Sequence, residues 1–330
     1  MAADSVFIVS LVHSMKFTTL FSLLLCTALG VITASAGEQT PAPKGKKVVS
    51  SISEWRAKIE SLAPTKPRVE PKAPRKVLVF SLATGYKHSV IPHAKVVLDV
   101  LASTGAFEVV HSVDIDDFAP EKLNGFDAVV LNNTCSKSPK RNMFLDVLAR
   151  RKDMTDAQRA ARAEELEKSL LDFVASGKGL VGVHGGIVFL NSSPRFNELI
   201  GGSFIRHPRR QKITLKLVEP DHPLVAAFKG ETFTHNDEPY LFKYAKGGKD
   251  LRPLLEMDLT SLDKKTQKEI GKERRYVSWI KKYGKGRVFF VSPSHQPKSY
   301  ESARMLQFYL DGIQYALGDL PCDDTPAGGK

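Results

Sequence analysis

The stretch Gly179-Leu180-Val181-Gly182-Val183-His184-Gly185-Gly186 decides the fold. A short apolar run closes on a glycine-rich turn, with an imidazole where the run ends. In an open α/β sheet, ligands bind in the crevice outside the carboxyl ends of the strands. Small residues on both sides of one reactive side chain mark a strained strand-to-helix elbow that lifts that side chain clear of the backbone. Here the lifted residue is His184, neither Ser nor Cys. An imidazole binds metals, moves protons or hydrogen-bonds a sugar hydroxyl, whereas the acyl chemistry best known from that turn needs a hydroxyl or thiol nucleophile. The expectation is an α/β fold whose usual nucleophile is missing.

The flanking sequence agrees with a doubly wound sheet. Val77-Leu78-Val79-Phe80 and Asp127-Ala128-Val129-Val130-Leu131 are short buried runs, and residues 107–113 form another strand. Residues 91–101 and 155–175 carry helix-period apolar positions, which completes a β-α-β-β-α-β order. The second half is more antiparallel. Residues 213–218 alternate, residues 251–257 can pair with a neighbour, and Tyr276-Val277-Ser278-Trp279-Ile280 faces Arg287-Val288-Phe289-Phe290-Val291 across a Gly-Lys-Gly turn. A last amphipathic helix over 303–317 stops at Gly318. The spacing predicts one mixed-sheet domain over 75–320.

Outside that domain, Lys16, an apolar run over 20–32 and Ala34-Ser35-Ala36 read as a secretory signal peptide over 1–36. The chain is therefore expected to be exported, to the periplasm or beyond, with no membrane span after cleavage; a retained N-terminal anchor is the second reading, and Met15 is an alternative start. Residues 37–74, rich in Pro, Lys, Ser and Glu, read as a linker or loosely docked arm, and residues 321–330 as a disordered tail. Cys135 and Cys322, which an exported protein can join or leave as lone thiols, lack the spacing of a metal or redox motif. The net charge of +12 comes without any nucleic-acid-binding motif, so a solvated basic face is expected and nucleic acid is not.

Polar groups cluster immediately after the apolar strands. His88 and Tyr86 follow the first, with Ser89 placed to cap the next helix; Asn132 and Asn133 follow the third; His184 stands at the elbow; His295 follows the last. The turn-like stretch Thr234-His235-Asn236-Asp237-Glu238-Pro239-Tyr240 concentrates an imidazole, an amide, two carboxylates and a phenol, a density suited to acid–base work or to hard-ligand metal binding. His184, Asp237 and Glu238 are the expected catalytic groups. His88, Tyr86, Asn132, Asn133, His207, His235, Tyr240 and His295 are expected to bind substrate. His88, His184, His235 and His295 come from separate loops that a divalent metal such as zinc, held by three ligands with an open position, would draw together. A metal-free site fits the same residues. His222, before a proline, reads as a turn former, and His93 and His111 as structural.

These stretches, taken in order, resemble the trehalose-utilisation ThuA-like family, which sits with the class I glutamine-amidotransferase-like folds. The resemblance rests on Gly85-Tyr86-Lys87-His88, Gly182-Val183-His184, Gly201-Gly202-Ser203-Phe204 with His207-Pro208, Asp221-His222-Pro223, Asp237-Glu238-Pro239-Tyr240, Tyr283-Gly284-Lys285-Gly286-Arg287 and Gly312-Ile313-Gln314-Tyr315. It implies a flavodoxin-like fold and a role in carbohydrate metabolism on a disaccharide, glycoside or keto-sugar, the last supplied by a partner sugar dehydrogenase. Pro293-Ser294, Tyr315 and a long insert over 137–152 depart from the family pattern. An amidotransferase is excluded by the elbow, which has no cysteine for an acyl-enzyme. A non-catalytic sugar-binding or scaffold module is the alternative to an enzyme.

Overall fold

The computed structural model describes residues 51–327; the signal segment expected over 1–36 lies outside them. Eleven strands and eight α-helices follow in chain order: α1 (Ile52–Leu62), β1 (Lys76–Phe80), α2 (Ile91–Leu101), β2 (Glu108–Ser112), α3 (Pro120–Leu123), β3 (Ala128–Asn132), α4 (Met143–Leu148), α5 (Asp156–Ala175), β4 (Gly179–Val183), α6 (Pro194–Ile200), β5 (Gly202–Arg206), β6 (Gln211–Leu217), β7 (Phe233–Asp237), β8 (Leu241–Tyr244), β9 (Arg252–Met257), α7 (Lys264–Ile270), β10 (Tyr276–Tyr283), β11 (Gly286–Val291) and α8 (Ala303–Ala316).

A nine-stranded sheet runs in the order β2-β1-β3-β4-β11-β10-β9-β6-β7, with β5 and β8 pairing separately. Its first five strands are parallel, and β11 stands where the fifth strand of a flavodoxin-like 2-1-3-4-5 order belongs. From β11 outward every pairing is antiparallel, beginning with the expected β10–β11 hairpin. Strands β3 and β4 are buried along their whole length, as a parallel sheet covered on both faces requires. Their side chains divide by the two-residue period of a strand. Val77, Val79, Val130, Val181 and Phe289 pack on the face that carries α1, α2 and α8. Leu78, Phe80, Val129, Leu131, Leu180 and Phe290 pack on the face that carries α5 and α6. At Gly312 a Cβ would lie 2.1 Å from the Phe289 ring, so α8 meets β11 more closely than any other residue type allows.

Four features differ from the sequence expectation. The described part of the arm is firmly docked: Trp55 and Ile59 are buried in the core, and Trp55 Nε1 donates to Glu301 Oε1 at 3.1 Å. The buried Gln314 amide accepts from the Arg68 N–H at 2.8 Å and donates to the Val69 carbonyl at 2.6 Å. The tail is likewise held as far as residue 327. Arg252 Nη1 donates to Asp323 at 2.7 Å, and the Ala327 N–H donates to the Leu251 carbonyl at 3.0 Å. The reason is common to both segments: Gln314 and Arg252 are buried polar groups, and the chain ends supply the partners they would otherwise lack. Thirdly, the acidic stretch after residue 233 is partly strand, β7, and fourthly, Val90 rather than Ser89 stands at the N-cap of α2.

One buried group costs stability. Asp311 on α8 is fully buried, with Gln307 Nε2 donating to Oδ1 at 2.7 Å and Oδ2 unpaired. Burial, only partly offset by Gln307, pushes its carboxyl up to about 6. Near pH 4 it is protonated in the folded and much of the unfolded chain, whereas between pH 4 and 6 only the unfolded chain ionises, so stability falls as pH rises through that window. Asp311→Asn is expected to gain on the order of 1–3 kcal/mol above pH 6.5 and almost nothing near pH 4; urea unfolding at the two pH values checks this, and an equal effect at both would contradict it.

Candidate functional site

The site is assembled at the carboxyl ends of the parallel strands. His184 follows β4 with φ of +48°, a left-handed conformation rare for a side-chain-bearing residue. The glycines after it make that turn possible. A Cβ on Gly186 would lie 2.3 Å from the Leu131 carbonyl oxygen, and one on Gly185 would lie 2.7 Å from Cys135 Sγ. The imidazole is then fixed by Nδ1, 2.7 Å from the Ser292 carbonyl at the end of β11. A carbonyl only accepts, so Nδ1 carries a proton, and Nε2 faces the interior of the site.

Nε2 points at Glu238, which follows β7. His184 Nε2 lies 3.6 Å from Glu238 Oε2, His295 Nδ1 lies 3.2 Å from the same oxygen, and His207 Nε2 lies 3.5 Å from it. Burial alone would raise the Glu238 carboxyl, but the facing imidazoles of His184 and His295 overturn it and hold the group well below the usual carboxylate range. His88 completes the cluster, its ring centroid 4.9 Å from that of His184 and 5.2 Å from that of His295. Burial first, and the two neighbouring imidazoles second, push His88 down to about 2, so it is neutral at physiological pH. His88, His184, His295 and Glu238 each bring one donor atom within 4.8 Å of the others, a set that could hold a metal ion.

Tyr240 and Asp237 support the cluster. The buried Tyr240 ring lies 4.1 Å from the His184 ring and stacks on His207 at 5.4 Å, while its hydroxyl lies 3.5 Å from His88 Nε2. Asp237 is buried and faces away from the cavity. Its carboxylate accepts from the Glu238 N–H at 2.8 Å and from the His295 N–H at 3.3 Å, so one side chain fixes the backbone of two cluster members. His235 is not brought into the cluster. Its Nδ1 lies 3.0 Å from Ser299 Oγ and 3.4 Å from Asp237 Oδ2. Asn132 and Asn133 are also turned inward: Asn132 Nδ2 donates to Ser81 Oγ at 3.0 Å and Asn133 Nδ2 to Asn132 Oδ1 at 3.1 Å.

A cavity of about 230 Å³ opens on the cluster, lined by Tyr86, His88, Cys135, Arg141, Val188, Phe204, His207, Glu238 and Tyr240. His184 and His295 lie outside its lining, and Tyr86 is exposed. A larger cavity of about 390 Å³ lies on the other side of β7, beside His235, Lys212 and Lys298. The smaller one is the better candidate, because His88 and Glu238 of the cluster line it and none of the cluster lines the larger one. Sequence reasoning missed Arg141 and Cys135 as lining residues. Arg141 belongs to the 137–152 insert, whose length was the available signal. Cys135 and Cys322 are both free, and burial pushes the Cys135 thiol up to about 12, which leaves it unreactive. His222 is, as expected, a turn former: its side chain accepts from the Leu224 N–H.

The chain matches the ThuA family, described as trehalose utilisation, over residues 76–316. Its fold is similar to that of a ThuA-like protein from Parabacteroides merdae, with 19% identity, a TM-score of 0.54, and 78% of this chain and 96% of that one covered. A ThuA-like protein from Bacteroides uniformis is similar at 15% identity, a TM-score of 0.55, and 76% and 94% coverage. No curated protein matches this chain.

The elbow geometry carries a test. Gly186→Ala would drive a methyl group into the Leu131 carbonyl, and overpacking of this kind costs about 1–3 kcal/mol. A lowered thermal midpoint is expected, with Gly125→Ala, where the nearest atom to the new methyl group would be 3.2 Å away and φ is likewise not positive, as the milder comparison. Equal losses in the two variants would contradict the close approach at Gly186.

Proposed function

This chain belongs to the ThuA family, and from that premise we propose that it acts on a carbohydrate of trehalose utilisation, a disaccharide, glycoside or keto-sugar, one ring of which enters the cavity above Glu238. The observation that carries this reading is the Glu238 carboxylate at the cavity wall, with one oxygen shared among His184, His207 and His295. A cavity of about 230 Å³ falls below the roughly 300–1,000 Å³ of pockets for drug-sized ligands and suits a single small ring. Its walls combine aromatic faces, from Tyr240 and Phe204, with polar groups that match sugar hydroxyls, from Glu238, His207 and Arg141. Tyr86, exposed at the lining, offers a face for the part of the substrate left outside.

The roles read from the sequence divide accordingly. Glu238, ionised, is suited to accept a hydrogen bond from a sugar hydroxyl and to stabilise positive charge, not to act as a general acid. His207, half-exposed and 3.5 Å from Glu238, is the imidazole placed to exchange a proton with substrate. His184 is fully buried and acts through Glu238, and Asp237 positions the backbone of Glu238 and His295. Export by the N-terminal segment and supply of a keto-sugar by a partner dehydrogenase remain part of this reading.

Glu238→Gln keeps the shape of the side chain and removes its charge. Turnover is expected to fall by about 10²–10⁴-fold in a screen of native and keto-disaccharides, with the fold retained by circular dichroism. Binding of a sugar without turnover by the unmodified protein would instead favour a non-catalytic sugar-binding module.

A further inference from the structure

His184 Nε2 and His295 Nδ1 have no hydrogen-bond partner, and both face the Glu238 carboxylate. For His184 the arrangement is decided by the other nitrogen. Because Nδ1 donates to the Ser292 carbonyl, Nε2 is the nitrogen turned towards a carboxylate oxygen 3.6 Å away. Buried polar atoms without partners are costly, and a cation bound by these nitrogens and the carboxylate would satisfy all of them at once.

We propose that His88, His184, His295 and Glu238 bind one divalent transition-metal ion of the zinc class. The donor set is three imidazoles and one carboxylate, which suits zinc, iron, nickel or copper and disfavours the all-oxygen ions calcium and magnesium. The spacing agrees. Ligand bonds of about 2.0–2.2 Å in a tetrahedron place neighbouring donors ~3.3–3.5 Å apart, and the Glu238 oxygen lies 3.2 Å from His295 Nδ1 and 3.6 Å from His184 Nε2. The wider separations in the set stay within 4.8 Å. Outer contacts are those a metal-binding histidine requires. Ser292 fixes the tautomer of His184, and Asp237 holds the backbone N–H groups of both Glu238 and His295. Glu238 and His88 also line the 230 Å³ cavity, so an ion in this cage would lie next to anything bound there. His235, the fourth histidine expected from the sequence, is replaced by Glu238.

The assignment is independent of the sugar reading, because it is tested without substrate. The full chain, stripped with chelator and titrated with Zn²⁺, is expected to take up one equivalent by elemental analysis after dialysis and to gain thermal stability. Titration with Co²⁺ should give the intense visible bands of a low-coordinate site. Glu238→Gln and His295→Ala should each weaken Zn²⁺ binding at least ten-fold, while His111→Gln, on β2, should not. Absence of stoichiometric uptake, or uptake unchanged in both cluster variants, would overturn the proposal. Should a variant fold poorly, the Co²⁺ spectrum of the unmodified protein still decides, since weak octahedral bands would exclude this cage.

Discussion

Everything at the carboxyl edge of this sheet depends on the hydrogen bond between His184 Nδ1 and the Ser292 carbonyl, 2.7 Å long. It joins the ends of β4 and β11, the two neighbouring parallel strands at the centre of the fold. It also selects which nitrogen of the elbow histidine is free. The other nitrogen has one direction to face, and Glu238 is there. A left-handed backbone at His184 and close-packed glycines after it are the structural cost of aiming the ring in this way.

The two halves of the sheet contribute different things. The parallel half supplies rigid strand ends carrying His88, His184 and His295. The antiparallel half supplies the acid, because β7 delivers Asp237 and Glu238 to the same rim. Neighbours on an extended chain point to opposite sides. Asp237 therefore turns to the backbone of His295 and to Ser299, while Glu238 turns to the imidazoles. One carboxylate organises the loops and the other faces the cavity.

The parallel strands were legible in the sequence because burial on both faces leaves continuous apolar runs such as Ala128–Asn132, and the elbow was legible because only glycine fits after His184. The hairpin and the last helix were equally plain. The cluster itself was legible in part: His88, His184 and His295 stood out by their position after strands, and Glu238 by the density of polar groups around it. What pattern could not separate was Asp237 from Glu238, or His235 from the other imidazoles, since their division follows from which way a short edge strand faces. Asn132 and Asn133 looked like ligands and are internal braces, because a polar residue just past a buried strand can turn inward as readily as outward. The docking of α1 and of the tail was hidden for another reason. Their partners, Gln314, Asp319 and Arg252, lie far away in the chain, and nothing local announces them.

The central claim, that the Ser292 carbonyl holds a proton on His184 Nδ1 and so turns Nε2 towards Glu238, is tested most directly by long-range ¹H–¹⁵N NMR on protein labelled at histidine nitrogen, with the His184 signals assigned by difference against His184→Gln. The structure predicts a proton on Nδ1, hydrogen-bonded to the carbonyl. An Nδ1 without a proton would contradict it, because the bond that aims the ring at Glu238 would not be there.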